Sequence, residues 1–406
     1  MAQPQSIAII GAGLSGLTLA LSLQAQGIPC KIYEARSAPL NIGGAIMLSP
    51  NALRILDTLG VYARIKSEAF EFDTLYFRSP DDKPLDTFEF GSEEKYGYPG
   101  VRVYRHVLIR VLSGLVRERG VEVVYGKKFV RVLQDTEEGV SWEFEDGFVE
   151  SASCLVGADG IHSKVRGYLY PDLEPTFTHT MAVTAAVPTS QLSVPEGYGL
   201  PVTILNRTHG AFVIAPQQPT GSEVLIGRQK RAAQLDRAGW DALLDNKEWC
   251  IDFLRDGASD FPEIVQNAVR HIETEKINLW PFYVVPKLET WASESARAVI
   301  LGDAAHAIPP SAGQGINQGF EDVFTFALIL RRCQGEGELV KALKVWQAGR
   351  QGRIDKVLQL NAEIDRRRGP KIPGQEEKDE ESKAFELGWL YKVDYEEMVD
   401  GWLAEA

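Results

Sequence analysis

The strongest constraint on this chain lies near its start. Ser6-Ile-Ala-Ile-Ile10 reads as a buried strand, Gly11-Ala-Gly-Leu-Ser-Gly16 as a turn, and residues 17–26 carry helical apolar spacing. Cys30-Lys-Ile-Tyr-Glu34 then reads as a second strand ending in an acid. A G-x-G-x-x-G turn between such a strand and helix is a βαβ dinucleotide fingerprint. Gly11 permits the tight turn, Gly13 lets a pyrophosphate approach the backbone, and Gly16 lets helix and strand pack closely. Glu34 is placed to accept both hydroxyls of an adenosine ribose. On these residues alone the dinucleotide is either NAD or FAD.

Two later stretches repeat the pattern of an apolar strand broken by an acid. Residues 152–166, Ala-Ser-Cys-Leu-Val-Gly-Ala-Asp-Gly-Ile-His-Ser-Lys-Val-Arg, place Asp159 at a strand end, where α/β sheets bind ligands. Residues 297–317 run from the apolar Ala298 to Leu301 into Gly302-Asp303, two prolines, and Gly313-Gln-Gly315. From Gly315 the spacing of Ile316, Phe320, Val323, Phe324 and Leu328 is helical, so the loop ends on a helix N-terminus. Free amides and the helix dipole make such an end an anion site, for a phosphate or for a delocalised ring anion.

At 406 residues the chain is long for one core, and two domains are expected. A net charge of −13 argues against nucleic acid or an anionic membrane as partner and favours a small molecule. Cys30, Cys154, Cys250 and Cys333 show no Cys-x-x-Cys spacing, so no disulfide framework and no metal site is suggested, and a cytoplasmic location fits. The N-terminal apolar run lacks a basic flank and is broken by glycines, so it is read as strand and helix, not as a signal peptide. No apolar window is long enough to span a bilayer. The sequon at Asn206 is then accidental.

In this order and at these separations, the three motifs resemble the single-component FAD-dependent aromatic hydroxylases, the class A monooxygenases related to p-hydroxybenzoate hydroxylase and salicylate hydroxylase. The resemblance spans roughly residues 6–350 and selects FAD, bound noncovalently, with NADPH or NADH as transient reductant and O2 as co-substrate. It implies a cofactor-binding set of Gly11, Gly13, Ser15, Gly16, Glu34, Arg36, Gly44, Ala45, Arg105, Asp159, Asp303, Gly315, Ile316 and Asn317. Within it Asp303 serves the ribityl and pyrophosphate region, Arg105 the phosphate side, and Asp159 contacts both FAD and NAD(P)H. Gly44 and Ala45 border the ring, as the glycines Gly43 and Gly44 of that loop allow. The amides of Ile316 and Asn317 face its N1-C2=O edge, and the Pro310 carbonyl lies near its reactive face. The implied chemistry is transfer of oxygen from a flavin C4a-hydroperoxide to an aromatic or conjugated substrate, hydroxylation first, with epoxidation or Baeyer-Villiger insertion as alternatives.

The implied fold is α/β: a Rossmann-type FAD-binding domain of residues 1–70, 101–172 and 287–360, a discontinuous β-sheet substrate domain of 71–100 and 173–286, and a C-terminal helical extension of 361–406. Alternating runs at 181–187, 202–205, 211–215 and 223–227 supply the sheet. Arg228, Phe212, Trp280, Phe282 and Tyr283 are candidates for its flavin-facing wall or for core, with Arg228, Tyr283 and Pro310 taken as the catalytic set. His306 is read as fixing its loop by hydrogen bonding. The acidic run 376–381 reads as a solvated linker, and residues 385–403 as a helix packed back on the core. The second class of reading is a non-catalytic binding protein on the same fold. A halogenase lacks support because its Trp-x-Trp-x-Ile-Pro signature is missing. Monomer and homodimer both remain open.

Overall fold

Five parallel strands carry the first glycine turn, in the order Ala298–Ile300, Cys154–Gly157, Ile7–Ile10, Cys30–Glu34, Glu122–Tyr125. Ile7–Ile10 and Cys154–Gly157 are buried throughout, which is why they read as unbroken apolar runs and not as alternating ones. These details come from a computed structural model that describes residues 6–39, 44–333, 336–368 and 384–405. The expectations for Gly43 and for the acidic run 376–381 fall outside those residues.

The helices Leu14–Ala25 and Gly315–Arg332 pack side by side against this sheet with Arg105–Glu118. In Arg105–Glu118 the buried residues Leu108, Leu112 and Val116 form the apolar stripe that the sequence spacing anticipates. An antiparallel trio, Val149–Ala152, Gly139–Phe144 and Phe129–Thr136, crowns the sheet.

A second sheet has seven strands in the order Asn278–Val284, Thr176–Pro188, Glu223–Arg231, Gly210–Pro216, Val202–Asn206, Thr74–Arg78, Pro84–Glu89. Its strand alternation sorts two faces. Val183, Ile204, Phe212, Ile214 and Ile226 form one core with Trp240, Cys250 and Phe261 from the helical layer behind. Residues of the opposite parity, including Thr203, Leu205, Val213, Leu225 and Thr184, are half-buried on the other face. The strands Ala45–Leu48, Gly100–Tyr104 and Phe70–Phe72 form a separate small antiparallel sheet with Gly100–Tyr104 in the middle.

The long helix Glu336–Arg368 spans 33 residues. Instead of the single helix expected at 385–403 there are two, Gly388–Tyr391 and Tyr395–Ala404, with Asp394 capping the second by accepting the Glu397 amide. Leu387, Leu390 and Tyr391 join the aromatic cluster of Phe72, Phe77, Phe88 and Phe90, whereas Tyr395 and Val399 enter the core under the parallel sheet.

Candidate active site

The three strand-end motifs converge on one cleft of about 440 Å³, lined by Gly11, Gly13, Ser15, Glu34, Arg36, Arg105, Asp159, Asp303, Gly315 and Ile316. Its glycines divide by geometry. Gly11 has φ +106° and a Cβ there would lie 2.7 Å from the Ala158 carbonyl oxygen; at Gly16 a Cβ would collide with the Gly11 carbonyl. At Gly13 a Cβ would meet no atom within 4 Å, so the turn leaves its middle open to a ligand. Gly16 therefore packs beneath the turn and not in the cleft.

Glu34 is buried and tied to the turn: Oε2 accepts the Ala12 amide at 2.8 Å and Oε1 the Arg36 amide at 2.9 Å. The Arg36 guanidinium, exposed at the mouth, pairs with the same carboxylate at 3.2 Å. Oε1 is thus fully used, whereas Oε2 retains a further lone pair for a hydroxyl. Asp303 is exposed along the cleft; partial loss of solvation among the surrounding groups raises its pKa, against the opposing pull of His306 and Arg105. Burial likewise lowers the Arg105 pKa, countered by Asp303. The Arg105 amide donates to the Gly44 carbonyl at 3.3 Å, and Ala45 pairs with Tyr104 across the small sheet, so Gly44 and Ala45 are fixed to the end of the strand Gly100–Tyr104 and to the first residue of the helix that follows it.

The helix Gly315–Arg332 makes its first internal bond from the Gln318 amide to the Gln314 carbonyl, which leaves the amides of Gly315, Ile316 and Asn317 at a free N-terminus. Asn317 is buried, and its side chain turns inward: Oδ1 accepts the Ser49 amide at 3.0 Å and Nδ2 donates to the Gly313 carbonyl at 2.7 Å. His306 pairs with Asp322, in keeping with a loop-fixing role.

The catalytic expectations for Arg228 and Tyr283 need correction. Arg228 is fully buried on the helical side of the seven-stranded sheet, where its guanidinium donates to the carbonyls of His209 and Asp256 and lies over Phe261. It caps carbonyls at the end of the helix Lys247–Arg255 and reaches no cleft. Phe212 shares that face. Tyr283 does too, receiving a hydrogen bond from Trp240 Nε1 at 3.1 Å beside Phe177 and His162. Period-two alternation sends these residues behind the sheet, whereas Trp280 and Phe282 have the opposite parity. Asp159 lines the cleft, and one of its oxygens, Oδ2, accepts the amides of Lys164 at 2.8 Å and Val165 at 3.3 Å at the start of the next helix. Finally, the Pro310 carbonyl accepts the Gly313 amide at 2.8 Å, so it closes its own turn, which Asn361 clamps through the Pro309 carbonyl and the Ala312 amide.

Cleft residues that the sequence reading missed are Tyr33, Lys127, Phe129 and Gly319. Lys127 follows Glu122–Tyr125, and the C-terminal end of a parallel strand was the available signal. A neighbouring cavity of about 660 Å³ is lined by Gly44, Tyr104, His106, Thr184, Gln217 and Leu225. In it Gln217 ties the two sheets: Oε1 accepts the Ala45 amide at 3.0 Å and Nε2 donates to the Tyr104 hydroxyl at 2.9 Å.

An open glycine turn, a buried acid at the second strand end and a helix N-terminus across the cleft fit the ribose, pyrophosphate and ring edge of FAD. The comparisons with known proteins agree. The FAD binding domain family matches residues 5–360. The 3-amino-4-hydroxybenzoate 2-monooxygenase PtnB3 of Streptomyces platensis is 30% identical over 80% of this chain and 79% of its own. Hispidin-3-hydroxylase of Neonothopanus nambi is 27% identical over 97% of this chain and 96% of its own. Among solved structures, the salicylate hydroxylase substrate complex superposes with a TM-score of 0.77 at 23% identity, covering 98% of both chains, which supports the fold. FqzB does so at 0.78 and 21%, covering 100% of this chain and 96% of that one. No described helix is long and apolar enough to cross a membrane. The chain thus belongs to the FAD binding domain family and is an FAD-dependent aromatic monooxygenase that takes its electrons from NAD(P)H.

Proposed function

We propose that this enzyme hydroxylates an uncharged aromatic or conjugated ring, held between the half-buried face of the seven-stranded sheet and the flavin. The observation that carries this reading is the composition of that face. Across the four central strands it presents Ala182, Thr184 and Ala186; Leu225, Gly227 and Gln229; Ala211, Val213 and Ala215; and Thr203 and Leu205. None of these is charged. The charged positions of the same parity, Glu223 and Arg231, stand at opposite ends of one strand, and Glu223 is already held by Lys276 at 2.8 Å. Met47 and Ile308, from the flavin side, pack with Leu75 and Leu205 against the aromatic cluster of Phe72, Phe77, Phe88 and Phe90, which joins sheet and flavin loops in one apolar cluster. Burying a carboxylate there without a partner would be costly.

FAD, when bound, supplies the redox chemistry and the activated oxygen. The residues of this chain have supporting roles. The 11–16 turn and Ser15 receive the pyrophosphate, Glu34 the ribose, and Arg105 and Asp303 the phosphate and ribityl region. The amides of Ile316 and Asn317 stabilise negative charge at the ring edge. The apolar sheet face excludes water from the reacting oxygen. Residues 1–70, 101–172 and 287–360 form the cofactor unit in this reading, and 71–100 and 173–286 the substrate unit. The curated relatives named for benzoates act on carboxylated rings; this chain, lacking a cation on the central face, would prefer the ring without one.

A matched panel of phenols and hydroxyquinolines, each with and without a ring carboxyl, tests the reading. Substrate-stimulated NAD(P)H oxidation with a product heavier by one oxygen should be confined to the uncharged members. Turnover of the carboxylated members alone would overturn it.

A further inference from the structure

Two adjacent carboxylates on the helix Gly315–Arg332 hold the two loops that face the cofactor. Asp322 accepts the Gly302 amide at 2.8 Å and pairs with His306, which secures the turn presenting Asp303. Glu321 accepts Asn51 Nδ2 at 2.7 Å and Gln318 Nε2 at 3.1 Å. Asn51 and Gln318 each donate to Gln314 Oε1 at 3.3 Å, and Gln314 donates to the Ser49 hydroxyl at 2.9 Å. The Ser49 amide, in turn, is the donor to Asn317. Arg350, fully buried, joins the two arms by pairing with Glu321 and, at 2.7 Å, with Asp322.

The same network reaches past residue 360, where the family match ends. Arg353 binds both oxygens of Glu321 and donates to the Trp389 carbonyl at 3.0 Å. Independently, the Tyr395 hydroxyl donates to the Asn51 carbonyl at 3.0 Å. A buried carboxylate held by donors on several sides cannot shift unless they shift with it, since each unmade bond inside the protein is expensive.

We infer that residues 388–404 are a working part of the flavin site. Docked through Arg353 to Glu321 and through Tyr395 to Asn51, they fix loop 313–317 and so the amides that it offers to the reduced ring. Arg353 and Tyr395 are positioning residues; neither lines the cofactor cleft. The inference rests on the reading above that this loop faces the ring edge.

The test uses the full-length, FAD-loaded enzyme carrying Tyr395→Phe or Arg353→Lys. Tyr395→Phe removes one hydroxyl and keeps the ring's edge contact with Phe324. Arg353→Lys keeps the charge but cannot span Glu321 and the Trp389 carbonyl together. Both should lower the flavin midpoint potential and raise the FAD dissociation constant about three- to tenfold, as loss of a single net hydrogen bond implies. The substrate KM should not change. Arg332→Ala is the control: it severs surface ion pairs to Glu396 and Asp400 on the same segment, and should lower thermal stability without moving the potential. Wild-type potential and FAD affinity in both Tyr395→Phe and Arg353→Lys would overturn the coupling. Gly315→Pro, measured alongside, separates the two levels. If it shifts the potential and the other two do not, only the coupling is wrong; if it too leaves the potential unchanged, the loop reading fails and the coupling with it.

Discussion

Glu34 and Ala12 are bonded across the glycine turn: the carboxylate at the end of the second strand accepts the amide in the middle of the first loop at 2.8 Å. The acid therefore shapes the turn, in addition to the ribose-binding role proposed for it. Glu34→Ala should lose both functions. Hydrogen bonds to charged groups contribute roughly 1.5–3 kcal/mol, so FAD affinity should fall by about ten- to a hundredfold or more. Fluorescence titration of the apoprotein with FAD measures this directly, and an unaltered dissociation constant would remove Glu34 from the site.

The open side of Gly13 separates binding from folding. Gly13→Val should fold with near wild-type apoprotein stability and bind FAD poorly, because its side chain enters the open side of the turn, where the proposal above puts the pyrophosphate. Gly16→Val should fail to fold, since its Cβ has no room beneath Gly11. Circular dichroism melts paired with flavin content distinguish the two; equal behaviour would contradict the division.

Arg228→Met should be a stability mutant and not a catalytic one. Loss of its guanidinium leaves the Asp256 and His209 carbonyls unpaired, at about 1–3 kcal/mol each where water cannot reach. Below the melting temperature kcat/KM should remain that of the wild type. A selective fall in kcat would return Arg228 to the catalytic set.

The buried charge network makes the protein acid-labile over a definite range. Burial alone would raise the Glu321 pKa, but Arg353 and Arg350 outweigh it and hold the carboxyl down to about 2, from an ordinary 4.5. A depressed folded-state pKa gives stability that is fully present above the unfolded value and lost as pH falls toward the folded one. Between about pH 4.5 and 2 the protein should lose on the order of 3 kcal/mol from this group. Glu321→Gln should flatten the dependence in urea melts across that range. A slope unchanged by the substitution would show that other carboxylates carry it.

The proposal that the helix N-terminus faces the ring is tested by Gly315→Pro. It removes one amide and, because Gln314 sits in the αR region that proline disfavours in its predecessor, also distorts the turn. Helix-terminus effects of about 0.3–2 kcal/mol correspond to a fall of some tens of millivolts for a two-electron couple. Dye equilibration reads that shift, with Ser311→Ala as a variant that leaves the helix amides in place.

Much of this site was legible because its motifs are local. Gly11, Gly13, Gly16 and Glu34 occupy one βαβ unit, where strand, turn and helix are each written in the adjoining residues, and the same holds for Asp303 and Gly315. The faces of the seven-stranded sheet were not legible. The side on which Arg228 or Tyr283 emerges depends on register against strands tens of residues away, and a shift of one residue reverses it. Nor could spacing show that Glu321, Arg350 and Arg353 meet, since their meeting depends on how two long helices pack. The available hint was composition: Glu321 and Asp322 sit between the apolar Phe320 and Val323 in a helix that then runs largely apolar to Leu330, and buried acids need partners.

The central claim is oxygen transfer from dioxygen to an uncharged ring at the apolar sheet face. Turnover of the best panel substrate under isotopically heavy dioxygen, with mass spectrometry of the product, tests it most directly. The account predicts one heavy oxygen atom in the product, none acquired from labelled water, and one NAD(P)H consumed for each product formed. Product oxygen drawn from water, or NAD(P)H oxidation yielding only hydrogen peroxide with every aromatic tried, would contradict it.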